Sequence, residues 1–536
     1  MRDFVRPSGL WRPRLLALLV LVGAGASAAE EPSVADRVRL VLHARIPASG
    51  EAPRLELEGE GFRASPALAC FYQRRRDAAA WSADGRIRPA AGELLAALAA
   101  AGDDGLSPEA YRPAALGRLA AAVASRPDPG GLADLDLLLS DAFLTFAAHL
   151  SHGKVNPAAI YSDCALRPDV LDLADALEDA LRTGQIRAAL AGLAPPQPGY
   201  RRLREALARY RRLAAQEVGP ASLPAGHPLR EGDRGERVVA LRGRLAEASL
   251  ADAAEPLPPA AAADLFDPPL KEALRRFQER HGLEGDGVAG RATLLELDQR
   301  APDHVRQLEV NLERWRWLPR DLGRRHVLVN IAGFRLEAVA DGRTDLAMRV
   351  VVGKPYTRTP MFSSAIKSVL LNPPWYPPKS IAVKEIFPKA RKDPSYLARE
   401  GFEVLPGGRL RQRPGDKSAL GRIKFEFPNP FDVYLHDTPA RTLFGRTSRA
   451  FSHGCIRVER PLDLAVWALA GDPHWNEAAI RAGIDAKQER RLPLPGPIAV
   501  HIAYWTAWVD DRGTLTLGRD VYGRDAELAR RLAGAR

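Results

Sequence analysis

The sequence Ala450-Phe451-Ser452-His453-Gly454-Cys455-Ile456-Arg457-Val458 places a cysteine between a histidine–glycine pair and an arginine. Upstream, residues 431–435 form a strand-like run that ends at a second histidine, His436. Fifteen residues separate His436 from Ser452, enough for a loop that brings the end of the strand beside the cysteine. A thiol attacks as the thiolate, so it needs a nearby base or positive charge. The stretch predicts a nucleophilic Cys455, activated by one of the two histidines or the arginine.

Isolated features of this stretch have simpler explanations. A single cysteine is most often a small buried apolar residue, and Ser151-His152-Gly153-Lys154 shows that Ser-His-Gly also occurs without a thiol. A zinc site would need three or four ligands, and the sequence has no Cys-x-x-Cys or His-Glu-x-x-His pattern. We therefore expect no metal and no cofactor, and interpret the cysteine from its context.

The order and spacing of His436 and Ser452-His453-Gly454-Cys455-Ile456-Arg457 resemble the signature of the L,D-transpeptidase (YkuD-type) family. That signature is a histidine, a spacer of about this length, and Ser/Thr-His-Gly-Cys-x-Asn/Arg. The resemblance implies an enzyme that acts on peptidoglycan tetrapeptide stems. Cys455 would attack the carbonyl of the third stem residue and release D-alanine. An amine from a neighbouring stem would then attack the thioester and form a 3→3 cross-link. The resemblance also implies that carbapenems acylate Cys455.

The same resemblance gives each motif residue an expected role. His436 is the general base, and His453 orients or electrostatically supports the site. Backbone N–H groups around Gly454 and the cysteine stabilise the oxyanion. Ser452 completes the motif, and Arg457 shapes the loop or binds a substrate carboxylate.

Two other functions stay open on the sequence alone. A hydrolytic L,D-carboxypeptidase or endopeptidase would pass the same acyl-enzyme to water. A non-catalytic scaffold would bind the cell wall through an inactive transpeptidase fold, which the intact His436 and Cys455 argue against. The acceptor is also undecided between another stem, a lipoprotein lysine and a free D-amino acid.

Residues 1–29 have the pattern of a signal peptide. Four arginines precede a short apolar core at 15–22, and Ala26-Ser27-Ala28 is a small-residue cleavage site. The core is too short to span a bilayer well, although an uncleaved anchor stays an alternative. We expect an exported, periplasmic, cell-wall-associated protein.

Charge and cysteine content indicate partners and redox state. The formal net charge of +11 suits an acidic polymer or membrane surface, and export argues against nucleic acid. The expected partners are peptidoglycan stems, with peripheral association with the membrane or with wall-synthesis proteins. The chain has three cysteines. Cys70 and Cys164 could form a disulfide in an oxidising compartment, but the sequence does not show that they meet.

The pattern from 60 to 218 predicts a helical domain. Residues 131–150 are apolar with interrupting aspartates, as in a core-facing helix rather than a membrane span. Residues 200–217 have an apolar helical face, which consists of Leu203, Leu207, Tyr210 and Leu213. With Phe71-Tyr72 and Trp81, this region resembles the N-terminal scaffold of larger, YcbB-like L,D-transpeptidases.

A linker at 219–227 leads to a second domain at 228–300. Its apolar positions fall on two helical faces, which consist of Val238, Leu241 and Leu245, and of Leu270, Ala273, Leu274 and Phe277. Asp286-Gly287 and Gly290 are turn residues before a last short helix. The unit resembles the three-helix type 1 peptidoglycan-binding domain, except that Arg242 stands where that family commonly has glutamine.

Residues 304–510 are predicted to form a mostly antiparallel β domain. After a helix at 305–318, whose tryptophans Trp315 and Trp317 pack against the next domain, the apolar period changes to two. Strands are expected at 326–331, 334–340, 346–352, 368–371, 431–435 and 498–509. A helix is expected at 461–470, and residues 511–536 form a C-terminal hairpin and tail.

An insert at about 375–421 interrupts this β domain. It contains a helical pattern at 381–387, which Pro388 should stop or kink. The resemblance to YcbB-like enzymes implies that the insert caps the substrate cleft, with Trp375 and Tyr434 contacting substrate. The predicted architecture is multidomain α+β: a helical scaffold, a three-helix peptidoglycan-binding domain, and a β catalytic domain with a capping insert.

Overall fold

The computed structural model describes residues 32–534, except positions 48, 50, 216–222, 224, 225 and 261. The predicted signal peptide and most of the predicted linker lie outside the described residues.

The N-terminal part is helical, as predicted. Its helices are α1 (Val34–Arg45), α2 (Ala67–Arg74), α3 (Pro89–Ala99), α4 (Pro113–Ser125), α5 (Pro129–His152), α6 (Pro157–Ile160), α7 (Leu173–Thr183), α8 (Ile186–Leu193) and α9 (Pro198–Ala215). Its strands are β1 (Arg54–Leu57), β2 (Glu60–Arg63), β3 (Ser82–Ala83), β4 (Arg86–Ile87) and β5 (Cys164–Ala165). Helical structure was expected from about residue 62, but Phe62 lies in the β1–β2 hairpin.

Helix α5 is the core helix of this part. Its Asp136 does not mark an exposed face, because this residue is buried and accepts three hydrogen bonds. They come from the Tyr72 hydroxyl at 2.7 Å and from the backbone N–H groups of Ala80 and Trp81, both at 2.8 Å. A buried carboxylate with these partners is satisfied, which explains how a polar residue fits a core helix.

The two cysteines of this part are both free thiols. Cys70 lies in α2 and Cys164 in β5. The disulfide that the sequence left open is not formed in the structure.

Three helices form the second domain, as predicted: α10 (Glu236–Ala251), α11 (Pro268–Arg280) and α12 (Arg291–Leu297). Val238, Leu241 and Phe277 belong to a hydrophobic core that is separate from the rest of the molecule. Arg242 pairs with Asp267, the residue that caps the N-terminus of α11, at 3.0 Å. The unusual arginine therefore ties α10 to α11.

Helix α13 (Ala301–Trp315) leads into the β domain. Trp315 stacks on Trp505 with ring centroids 4.3 Å apart, and Trp317 is fully buried. Both tryptophans therefore pack inside the protein, as predicted.

The β domain contains β6 (Arg325–Asn330), β7 (Arg335–Ala340), β8 (Arg343–Gly353), β9 (Met361–Leu371), β10 (Phe402–Val404), β11 (Leu410–Gln412), β12 (Ile423–Glu426), β13 (Leu435–His436), β14 (Ala450–Ser452), β15 (Ile456–Val458), β16 (Arg490–Ala503), β17 (Ala507–Val509) and β18 (Leu515–Leu517). Eight of these strands close into a ring in the order β12-β13-β15-β8-β7-β6-β16-β9, because β12 also pairs with β9. Neighbours in the ring are antiparallel except β13–β15 and β6–β16, which are parallel. The mostly antiparallel character is confirmed.

The strand predicted at 431–435 is shorter than expected, since only Leu435 and His436 form β13. The side chain of Asn429 forms hydrogen bonds with backbone groups that would pair with a neighbouring strand if β13 were longer. It accepts from the N–H groups of Phe431 and Val433, both at 3.1 Å, and donates to the Val433 carbonyl at 2.7 Å. The approach to the histidine is therefore a loop.

The strand predicted at 498–509 is divided between β16 and β17. At the break, the backbone N–H groups of Trp505 and Thr506 donate to the side chains of Asn330 and Asn311, at 3.0 and 2.8 Å. Strand β17 then turns back to pair with β18, so the hairpin was predicted correctly.

The insert contains α14 (Lys379–Ile381), α15 (Phe387–Lys392) and α16 (Tyr396–Arg399), with a π-helical turn at Ala382–Ile386 between the first two. Pro388 does not stop the helix, which was one of the two expected outcomes, and the helical run is irregular just before it, at the π-helical turn. Pro388 lies in the first turn of α15, where its missing N–H is tolerated. Ala382, Ile386 and Leu410 form a small core within the insert.

The remaining helices are α17 (Pro461–Ala468), α18 (Glu477–Asp485) and α19 (Asp525–Leu532). Helix α17 was predicted. Helix α19 belongs to the C-terminal tail and is tied to the core, because Asp525 pairs with the buried Arg314 at 2.6 Å. No helix in the described ranges is long and apolar enough to cross a membrane.

Candidate active site

Strands β13 and β15 bring the two parts of the cysteine motif together. They are parallel neighbours, with Leu435 beside Ile456 and His436 beside Arg457. Because side chains alternate along a strand, the residues fall on opposite faces, and the fully buried Leu435 and Ile456 lie in the core. The other face presents Tyr434, His436, Cys455 and Arg457. Cys455 and His436 are therefore diagonal neighbours on one face.

Lys424 of β12 completes this face. It lies opposite His436 in the β12–β13 register, and its ammonium is 4.3 Å from the centroid of the Tyr434 ring. Tyr434 also contacts His436, with centroids 5.6 Å apart. The face thus combines a thiol, an imidazole, a phenol and two cations.

His436 is held as a neutral imidazole. Its Nδ1 lies 2.6 Å from the backbone carbonyl of Asp437. Because a carbonyl only accepts, Nδ1 carries the proton of the neutral ring, and the ring also interacts with the Leu420 backbone. Burial, and next the positive charge of Arg457, lower the pKa of His436 to about 3. His436 is therefore unprotonated at neutral pH, as a general base must be.

Cys455 is half-buried and is held as a thiol. Its Sγ lies 3.8 Å from the backbone carbonyl of Asp432, to which the thiol donates. Burial raises the pKa of Cys455, and this effect outweighs the hydrogen bonds from the backbone and side chain of Tyr434, which lower it. The resting pair is a neutral thiol and a neutral imidazole, so the proton must move as the sulfur attacks.

The loop before the cysteine is closed by Ser452. The Ser452 hydroxyl donates to the Cys455 carbonyl at 2.6 Å and accepts from the Gly454 N–H at 3.1 Å. Gly454 has a φ of +120°, which L side chains rarely adopt. Of the two N–H groups expected to stabilise the oxyanion, that of Gly454 is therefore already hydrogen-bonded within the loop. Among the described residues, the Cys455 N–H has no such partner and is the available donor.

Arg457 carries an uncompensated charge into the site. It is half-buried, its Nε atom has no hydrogen-bond partner among the described residues, and burial lowers its pKa. No carboxylate of the described chain pairs with it. Of the two expected roles, this arrangement favours binding a substrate carboxylate.

His453 faces the insert. Its Nε2 lies 2.6 Å from Oε1 of Glu385, in the π-helical turn. The histidine beside the nucleophile therefore joins the cysteine loop to the insert.

Comparison with known proteins agrees with this geometry. Residues 324–475 match the family model described as "L,D-transpeptidase catalytic domain". The chain contains an L,D-transpeptidase catalytic domain. Residues 66–207 match a model described as "Scaffold domain", and residues 234–297 one described as "Putative peptidoglycan binding domain".

A Haemophilus influenzae protein named "Putative L,D-transpeptidase" is 33% identical to this chain over 244 residues. The match covers 42% of this chain and about half, 49%, of the relative.

Two solved structures are also similar. The L,D-transpeptidase of Xylanimonas cellulosilytica has 18% identity and a TM-score of 0.18, and the match covers 52% of this chain and 98% of that one. L,D-transpeptidase 3 of Mycobacterium tuberculosis, solved with a faropenem-derived adduct, has 15% identity and a TM-score of 0.19. That match covers 33% of this chain and 60% of the other.

The two predicted substrate contacts of the L,D-transpeptidase domain occupy different positions. Tyr434 lies on the reactive face, and its pKa is raised by burial and by the neighbouring Cys455. Trp375 is half-buried in the insert, 6.2 Å from the ring of Phe402, and its backbone pairs with Gln412. Trp375 therefore packs within the insert and also interacts with Tyr434.

Sequence reasoning missed four residues of this L,D-transpeptidase site, namely Thr359, Glu385, Lys424 and Tyr522. Thr359 supports the cysteine loop from 95 residues away along the chain, and Tyr522, from the C-terminal tail, bonds in turn to Thr359. None of the four belongs to a recognisable motif, so a single sequence offers no signal for them.

Proposed function

We propose that this chain is a cysteine-dependent L,D-transpeptidase that acts on peptidoglycan tetrapeptide stems and forms 3→3 cross-links. The observation that carries the proposal is the shared face of β13 and β15. It places the Cys455 thiol diagonal to a neutral His436, with the unpaired Arg457 beside them. The resemblance of the motif supplies the substrate class.

The first half-reaction forms a thioester. The Cys455 sulfur attacks the carbonyl carbon of the third stem residue while the thiol proton passes to Nε2 of His436. The oxyanion that develops is stabilised by the Cys455 N–H, an effect of roughly 3–4 kcal/mol per donor. The C–N bond then breaks, and the imidazolium returns the proton to the departing amine of D-alanine.

The second half-reaction transfers the acyl group to an amine. The acceptor amine attacks the thioester carbon and gives a proton to His436. The C–S bond breaks, and the proton returns to the sulfur. Protons balance over the cycle, and one D-alanine is released for each amide bond formed.

Arg457 is assigned to the donor stem. A half-buried guanidinium without a partner gains most from a ligand that brings a carboxylate. A tetrapeptide stem ends in one, on the D-alanine that leaves. This selects for a stem with a free C-terminus.

The decisive experiment is mass spectrometry of the purified protein incubated with disaccharide-tetrapeptide, beside a Cys455→Ala control. Release of D-alanine together with a cross-linked dimer, only in the wild type, would support transpeptidation. Tripeptide without dimer would favour the hydrolytic alternative. No reaction, with binding to isolated cell walls intact, would favour the non-catalytic scaffold.

The place of action belongs to the same proposal. The peptidoglycan-binding module and the basic net charge of +11 suit work at the cell wall. We assign residues 1–29 as a signal peptide that directs the chain to the periplasm. N-terminal sequencing of the protein from a periplasmic extract tests this, and a start upstream of residue 29 would contradict cleavage there.

A further inference from the structure

A large cleft separates the peptidoglycan-binding domain from the catalytic domain. Its volume is about 1760 Å³, and we call it the domain cleft. One wall is the turn between α11 and α12, and the other is the arm at 442–451 with the segment at 516–521. The domains touch at Gly282, where a Cβ atom would lie 3.0 Å from Cγ of Arg519. The cleft is therefore a defined space between two modules in contact.

The catalytic wall of the domain cleft is basic. Arg446, Arg449 and Arg519 line it, and none of them pairs with a carboxylate of the described chain. Arg449 is half-buried with an unsatisfied Nε, and burial, and next the charge of Arg349, lower its pKa to about 10. A guanidinium in this state would be stabilised by an anion from outside.

The opposite wall is acidic. Glu279, Glu284 and Asp286 line it together with one cation, Arg291; all four are exposed, and none of the three carboxylates pairs with a cation of the described chain. Because the carboxylates outnumber Arg291 on this wall and the arginines outnumber Asp520 on the other, the charges favour a ligand with an ammonium group on one side and carboxylates on the other. A plain glycan strand has no cation, whereas an acceptor stem has a free amine as well as carboxylates.

The domain cleft reaches the segment that precedes the nucleophile in the chain. Phe451 and Pro355 line its end. Phe451 immediately precedes Ser452, and the Ser452 carbonyl accepts from the N–H of Lys354, next to Pro355, at 3.0 Å. Cys455 lies four positions after Phe451, at most about 14 Å of chain. An extended stem of four residues has about the same reach.

We propose that the acceptor stem, the one that supplies the attacking amine, binds in the domain cleft. This inference rests on the proposed transpeptidase function and adds the position of the second substrate. The acidic wall attracts the stem in its ammonium form, the arginine wall binds the stem carboxylates, and the amine, once deprotonated, extends toward Cys455.

The test is the fate of the acyl-enzyme in a double variant, Arg446→Glu with Arg519→Glu. Its matched control is Arg512→Glu, an exposed arginine that does not line the cleft. With disaccharide-tetrapeptide, the double variant should lower the ratio of dimer to tripeptide about tenfold. Exchange of isotopically labelled D-alanine into the tetrapeptide should stay within about twofold of the wild type, because that small amine does not need the cleft.

An unchanged dimer-to-tripeptide ratio would overturn the assignment. So would weaker binding to isolated cell walls with an unchanged ratio, which would make the cleft a glycan site. If the wild type itself exchanges no labelled D-alanine, the proposed function fails, and that failure is distinct from failure of the cleft assignment.

A second inference comes from the hydrogen bonds behind the cysteine loop. The buried Thr359 donates from Oγ1 to the Gly454 carbonyl at 2.8 Å and accepts from the Gly353 N–H at 2.9 Å. The Tyr522 hydroxyl donates to the Gly353 carbonyl at 2.7 Å and accepts from the Thr359 N–H at 3.1 Å. Tyr522 belongs to the C-terminal tail, outside the matched catalytic region.

This network controls the direction of one N–H group. The Gly454 carbonyl and the Cys455 N–H belong to the same planar peptide unit and point in opposite directions. When Thr359 holds the carbonyl, it fixes the N–H on the other side. Gly454 itself offers little resistance to rotation, since glycine is permissive.

We infer that Thr359 is a positioning residue that aims the Cys455 N–H at the oxyanion, and that Tyr522 braces it. The test compares two reactions of the same sulfur. Acylation by a carbapenem passes through an oxyanion, whereas alkylation by iodoacetamide does not.

Thr359→Val should slow acylation about 10- to 100-fold, mainly in the maximal rate, and leave alkylation within about twofold. Thr359→Ser, which keeps the hydroxyl, should restore acylation, and Tyr522→Phe should give a smaller loss of the same kind. Equal loss in both reactions, or no loss of acylation, would overturn the inference. If Thr359→Val does not fold, Tyr522→Phe and Thr359→Ser carry the comparison.

Discussion

At the residue scale, the neutral state of His436 sets the pH range of the acylation step. Its pKa of about 3 means that the base is unprotonated throughout the ordinary range. We predict that the rate of Cys455 acylation by a carbapenem does not fall between pH 8 and pH 5. His436→Gln should lower that rate about 10²- to 10⁴-fold. A loss of rate centred near pH 6.5 would contradict the neutral, buried imidazole.

The same residue links stability to pH. The unfolded chain has an ordinary histidine of pKa about 6.5, whereas the folded one titrates near 3. Between these values the unfolded state binds more protons, so stability should decrease as the pH falls from about 6.5 towards 3. Urea unfolding from pH 7 to pH 4 should therefore show a smaller decrease in His436→Gln than in the wild type. Identical slopes would contradict the assignment.

At the scale of single elements, the insert is joined to the cysteine loop by one side-chain contact. Glu385 and His453 meet at 2.6 Å, and both are partly exposed. An exposed pair of this kind contributes only about 0–1 kcal/mol. Glu385→Ala should therefore raise the KM for the donor stem by at most about fivefold and speed trypsin cleavage within the insert.

The control for that prediction is Ser380→Ala, an exposed residue of the same insert in α14 that is not a trypsin site. It should change neither the KM nor the cleavage rate. If both variants behave like the wild type, the contact does not restrain the insert.

At the scale of the whole molecule, a buried charge cluster joins the peptidoglycan-binding domain to the scaffold. Asp252 accepts from the Tyr210 hydroxyl of α9 at 2.7 Å and from His281 at 3.1 Å. His281 also lies 2.8 Å from Glu296. Burial disfavours its charged form, but the hydrogen bonds to the two carboxylates outweigh burial and raise the pKa of His281.

This cluster predicts weaker docking at high pH. A raised histidine pKa contributes stability that is fully present below about pH 6.5, the unfolded value, and is lost as the pH rises through the folded value. Hydrogen exchange in α10–α12 should therefore speed up, relative to the rest of the chain, at pH 9 compared with pH 6. His281→Gln should remove most of that difference. Faster relative exchange at pH 6 would contradict the sign.

The C-terminal tail contributes to global stability through Arg314. This guanidinium is 2% exposed and pairs with Asp525 of α19. Removing one partner of a buried pair leaves an uncompensated charge, at a cost of about 3–5 kcal/mol. Asp525→Ala should lower the free energy of unfolding by that amount in urea titrations. Asp511→Ala, which removes a surface partner of Arg202, should cost no more than about 1 kcal/mol.

Many elements of this architecture can be predicted from short stretches of the sequence. The order His436, spacer, Cys455 identified the reactive pair, because both lie at the ends of short segments whose chemistry is visible in a few letters. The helices α10–α12 followed from apolar residues at helical spacing, since each helix buries one face. The strands of the β domain could be predicted because the spacing of apolar residues changes from a period of 3.6, typical of helices, to a period of 2, typical of strands.

Only the tertiary structure decided what surrounds that pair. Asn429 shortens β13, and Asn311 and Asn330 divide the predicted last strand. In both places an asparagine side chain accepts hydrogen bonds from backbone N–H groups that the sequence pattern predicted to pair with a neighbouring strand. Thr359 reaches the cysteine loop from a distant segment and Tyr522 reaches Thr359 from another, and the positions of their hydroxyls do not follow from any periodicity in the sequence. The periodicity of apolar residues indicates which face of an element is buried, but not which distant residues that face contacts. The pKa of His436 depends on such contacts.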